Sequence, residues 1–174
     1  MINNRRRVLF QKYTAYIFLF IILYVLQSTP GLFSVLGIRP VLLIPAAVTL
    51  AMYEGGFIGG LFGALAGMLC DLGAFSFYGL YSMLLLCCAA ASGLLVVYLM
   101  RRTLRVAMLL TSGTAALCCL LRFYFDYGLW GYGGISGIFW EQTVPTAIYT
   151  AAAAPLFFYL FRRLNRYFSE KISA

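Results

Sequence analysis

The sequence predicts an all-α integral membrane protein of six transmembrane helices, some short and glycine-rich, with both termini cytoplasmic. Three observations carry that prediction. Of the 174 residues, 63% are hydrophobic and 10% charged, at a mean hydropathy of +0.91, which is more apolar surface than a water-soluble domain of this size hides. The apolar residues form long continuous runs rather than the alternation a membrane barrel needs, and helices are the remaining way to satisfy every backbone polar group in lipid. The basic residues bunch at the ends of those runs, which is the signature of topology rather than of a nucleic-acid surface.

The chain reads as one domain, 1–174, framed by a basic segment, 1–12, and a basic tail, 162–174. Arg5, Arg6, Arg7 and Lys12 precede the apolar run Tyr13 to Ser28, which stops at Thr29-Pro30-Gly31. No small-x-small cleavage site follows and several further runs do, so this is read as an uncleaved first helix. Gly31 to Pro40 reads as a short loop carrying Arg39. Val41 to Tyr53 is apolar but shorter than the roughly 20 residues of a conventional span. It either extends at its ends or forms half of a short hairpin with Gly56 to Leu72. Leu80 to Met100, before Arg101, Arg102 and Arg105, and Val106 to Phe125, before Asp126, are full-length spans. Tyr127 to Gly137 mixes glycine and aromatic residues as an interfacial loop does, and Trp130, Tyr132 and Trp140 read as interface anchors. Val144 to Phe161, interrupted by Pro145 and Pro155, is the last span.

Six crossings with the N-terminus inside place eleven of the thirteen basic residues on the cytoplasmic side, leaving Arg39 and Arg122 outward, as the positive-inside rule requires. The same topology brings Asp71, Arg122, Asp126 and Glu141 to one depth, in the outer half of the membrane, together with Arg39 and Gln142. A carboxylate in an apolar run costs a few kcal/mol at the bilayer centre unless it faces the protein interior, water or a membrane boundary. Asp71 is thus either a local cap at a boundary or a member of a functional cluster. Arg122 and Asp126, four apart, share a helix face and suit a boundary pair.

Gly55, Gly59, Gly63 and Gly67 recur every fourth residue up to Asp71. Such a ladder lets a neighbouring backbone approach closely in lipid, as ordinary helix packing or as a groove for a partner helix, and it marks a central helix touched by several others. A step of four against a repeat of 3.6 makes the ladder a slanted ridge rather than a straight stripe.

The reactive inventory is thin. There is no histidine, which removes the usual proton carrier of hydrolytic triads and the commonest metal ligand. Cys70, Cys87, Cys88, Cys118 and Cys119 show no C-x-x-C spacing and read as free packing thiols. With no phosphate-binding loop and scattered acids, the residues predict no catalytic, cofactor or metal site, and a binding or scaffold role rather than an enzyme.

The glycine-spaced run ending in Asp71, followed by Gly79-Leu80-Tyr81, after Pro40 and before a basic inner loop, resembles the rod-shape-determining protein MreD family over nearly the whole chain. That resemblance implies a fold similar to the substrate-binding subunits of energy-coupling-factor transporters. It also implies a non-enzymatic scaffold subunit of the bacterial cell-elongation complex in the cytoplasmic membrane. Its partner would be the bitopic protein MreC and, through it, RodA, a class B penicillin-binding protein and MreB. On this reading the ladder offers MreC a groove. The alternative is a vitamin-binding transporter subunit, with Asp71, Arg122, Asp126 and Glu141 lining a small-molecule pocket. A homo-oligomer stays among the assemblies the sequence allows.

Overall fold

The computed structural model describes residues 2–29, 40–73, 79–125 and 143–173. Every described element is helical: α1 (Ile2–Ser28), α2 (Leu43–Glu54), α3 (Gly56–Leu72), α4 (Leu80–Tyr98), α5 (Leu104–Phe123), α6 (Val144–Ala152) and α7 (Ala154–Ser173). Four stretches are long and apolar enough to cross a membrane: Arg7–Ser28, Leu80–Tyr98, Leu104–Phe123 and, across the α6–α7 break, Val144–Phe168. The helices α2 and α3 are shorter and equally apolar. The chain is therefore a helical membrane protein.

Two boundaries differ from the sequence reading. The first helix begins at Ile2 rather than near Tyr13, because nothing in the arginine-rich segment breaks a helix. The last continues through the basic tail to Ser173. Between α6 and α7 the ladder is interrupted at Ala153, where Pro155 lacks an N–H and its ring crowds the preceding turn. Pro145 sits in the first turn of α6, where no intrahelical donor is needed.

The most enclosed element is α2, not the glycine-rich α3. Leu43 to Met52 are all buried, so α2 is apolar all round because other helices, not lipid, surround it. At 12 residues it is only about 18 Å long, and enclosure removes the need to match the bilayer. Backbone donors at its entrance are met by neighbours: the Val41 N–H, ahead of the helix, donates to Thr150 Oγ1 of α6 at 3.1 Å and the Leu43 N–H, in its first turn, to Gln27 Oε1 of α1 at 3.4 Å.

Only Gly55 separates α2 from α3, and at φ +91° it takes a backbone conformation that side chains disfavour. The chain folds straight back there, so that Gly59 lies against Ala51. This is the hairpin alternative of the sequence reading. Helix α4 then runs antiparallel to α3 along its length, with Gly56 against Leu94, Gly60 against Ala90, Gly63 against Ala89 and Gly67 against Ser82.

The outer helix α1 attaches by one seam. Lys12, Tyr16, Phe20 and Leu23 are buried while Ile17, Phe18, Ile21 and Ile22 face outward, the spacing of one helical face. Phe62 of α3 anchors the seam, with ring centroids 5.8 Å from Tyr16 and 5.9 Å from Phe20. Phe161 of α7 closes on Tyr16 from the other side, at 5.8 Å.

Candidate functional site

The enclosed charged groups gather at the two ends of α3, which its 17 residues set about 25 Å apart.

At the C-terminal end, Asp71 is 4% exposed and its carboxylate reaches across to the start of α4. It accepts from the Tyr81 N–H at 3.1 Å, from the Ser82 N–H at 3.0 Å and from the Ser82 hydroxyl at 2.6 Å. Those N–H groups are the orphan donors of a first helical turn. The residue at the N-cap position is Gly79, at φ +95°, which has no side chain to offer them. Asp71 supplies from the preceding helix the acceptor that an N-cap Asp or Ser would supply locally, and its charge lies at the positive end of the α4 dipole.

Tyr81 carries the contact onward. Arg122 of α5 donates from Nη1 to the Tyr81 hydroxyl at 3.1 Å, with its guanidinium 5.6 Å from the ring centroid. The structure therefore brings Asp71 and Arg122 to one corner through Tyr81 rather than through a direct ion pair. Asp126 and Glu141, the other members of the expected outer cluster, lie outside the described residues, as do Arg39, Gln142, Trp130, Tyr132 and Trp140.

At the other end, Lys12 of α1 pairs with Glu54 at the end of α2, with side chains 9% and 8% exposed. The Tyr16 hydroxyl donates to Glu54 Oε1 at 3.0 Å, and Lys12 Nζ donates to Asn165 Oδ1 of α7 at 3.1 Å. Three helices are tied by one enclosed network. Sequence reading placed Lys12 among the topology determinants and missed the network. The signal was present in outline: Lys12 and Tyr16 are four apart on one face, and Glu54 is the first acid in the chain.

The glycine ladder requires a correction. Gly55 is the turn outside α3, and Gly59 is filled by Ala51 of α2. A Cβ at Gly63 would lie 2.5 Å from the Leu85 carbonyl oxygen and 2.7 Å from the Ala89 Cβ, and one at Gly67 would strike the Ser82 backbone. The groove offered to a partner helix is occupied from within the chain. The face that receives α4 is Gly56, Gly60, Gly63 and Gly67, whose steps of four, three and four follow the helical repeat and make a straight stripe. Sequence reading followed the constant step of four and so joined residues that face two different helices.

All five cysteines are free, with Cys70, Cys118 and Cys119 buried. Among the described residues no three potential metal ligands come together. The chain matches no family model, no curated protein and no solved structure.

Proposed function

We propose that this chain is a non-enzymatic scaffold subunit of the bacterial cell-elongation machinery, of the MreD type, in the cytoplasmic membrane with both termini inside. It associates with an MreC-type bitopic partner and, through it, with RodA, a class B penicillin-binding protein and MreB. The observation that carries the reading is that the segment on which the resemblance rests forms one packed unit. Gly56 to Gly67 seat α4, Asp71 caps it, and Gly79-Leu80-Tyr81 is the start of the helix so capped. A rigid hairpin of this kind suits a protein that presents surfaces.

The polar groups favour the same reading, since Asp71 and the Lys12–Glu54 pair are engaged in holding helices together. The topology is supported by the placement of Lys12 and Arg102 at the end of the bundle where α2 and α3 meet. Because the glycine stripe is filled internally, contact with the partner falls to the outward faces of the helices.

The test is depletion of the protein in its native bacterium with imaging of cell outline and of labelled wall insertion. The reading predicts widening or rounding of the cells and loss of ordered insertion. Normal shape with lost uptake of a vitamin would overturn it in favour of a transporter subunit.

A further inference from the structure

The cationic end of the bundle holds a constellation that the scaffold reading does not use. Arg102, in the short connection between α4 and α5, sets its guanidinium 5.8 Å from the ring centroid of Tyr53, near the end of α2. Tyr53 also packs on Phe158 of α7, at 6.0 Å between centroids. Arg162 follows Phe158 by four residues and so shares its face of α7. Three elements distant in sequence thus set Arg102 against the Tyr53 ring and Arg162 on the helix face whose Phe158 packs on that ring.

We propose that Tyr53, Arg102 and Arg162 form a clamp for the headgroup phosphate of an anionic phospholipid. Both arginines are exposed and Tyr53 is half-buried. Among the described residues no carboxylate pairs with either arginine, and the Tyr53 hydroxyl has no hydrogen-bond partner. The nearest acid in sequence, Glu54, is held by Lys12 and Tyr16, so it does not repel an anion. Two planar forks and a hydroxyl match the acceptor oxygens of a phosphate.

A lipid rather than a soluble phosphate fits because apolar and cationic surfaces adjoin at this edge. Tyr98 and Leu99, at the end of α4, are 77% and 76% exposed and are separated from Arg101 and Arg102 only by Met100. Acyl chains cover such residues while the phosphate lies one layer outward, at the depth where basic side chains meet anionic headgroups.

The test uses the full-length protein in a zwitterionic detergent, titrated with phosphatidylglycerol in mixed micelles, with apparent affinity read from thermal stabilisation. The R102Q/R162Q variant is expected to bind about 30-fold more weakly, at roughly fivefold for each hydrogen-bonding contact to the phosphate lost. Y53F should weaken binding less, in the same direction. The R105Q/R163Q variant removes the same charge from exposed positions nearby and should retain most of the affinity. Equal losses in the two double variants would overturn the clamp and leave a diffuse field. Equal stabilisation by inorganic phosphate would overturn the lipid as the source of the anion.

Discussion

Asp71 and Ser82 are joined twice, since one carboxylate oxygen of Asp71 accepts from both the backbone N–H and the hydroxyl of Ser82, at 3.0 and 2.6 Å. With the Tyr81 N–H on the other oxygen, the last turn of α3 terminates the first turn of α4. The Asp71→Ala variant should lose about 1–2 kcal/mol of stability, the range for a deleted helix cap. Asp71→Asn keeps an acceptor and should lose less. Unfolding in mixed detergent micelles measures both. Unchanged stability in Asp71→Ala would mean that Asp71 is not the cap of α4.

Gly67 and Gly113 predict opposite signs for one substitution. A Cβ at Gly67 strikes the Ser82 backbone, whereas none of the described atoms lies within 4 Å of one at Gly113. Gly67→Ala should destabilise by about 1–3 kcal/mol through overpacking. Gly113→Ala, on an exposed helical face, should be neutral or stabilise by up to about 1 kcal/mol. Thermal unfolding of the two variants side by side decides the matter, and similar effects from both would contradict the packing.

Much of the fold was legible because lipid imposes a simple rule. Apolar runs such as Leu80 to Met100 and Val106 to Phe125 announce helices, and α4 and α5 fall within two residues of them. The hidden features depend on which residues share a face. Gly59 and Gly63 look equivalent in a run of fours but face α2 and α4 respectively. The burial of α2 was illegible because an apolar residue turned toward lipid and one turned toward protein read alike in sequence. Asp71 stood out as an acid in an apolar run, but its role depended on Gly79, eight residues on, being unable to cap its own helix.

The Lys12–Glu54 pair predicts strong coupling. Lys12→Met leaves an enclosed carboxylate without its cation and should cost about 3–5 kcal/mol, as should Glu54→Met from the other side. The double variant should recover much of the loss, since neither charge remains to be desolvated. A double-mutant cycle in detergent gives the coupling. Additive losses would contradict the pairing seen here.

The register of α3 on α4 predicts a cross-link. A Cβ at Gly60 lies 3.2 Å from the Ala90 Cβ, slightly closer than the 3.5–4.5 Å typical of disulfides. The variant Gly60→Cys/Ala90→Cys, in a background lacking the five native cysteines, should oxidise readily and shift on a non-reducing gel. Gly113→Cys/Ala90→Cys should not. Cross-linking of the second pair in preference to the first would contradict the antiparallel hairpin.

The most direct measurement of the proposed role is affinity purification of the tagged protein from its native membrane in gentle detergent, with mass spectrometry of co-eluting proteins and of bound small molecules. The account predicts recovery of an MreC-type bitopic protein with wall-synthesis enzymes behind it and no retained vitamin. Recovery of transport ATPases together with a tightly held vitamin would contradict it.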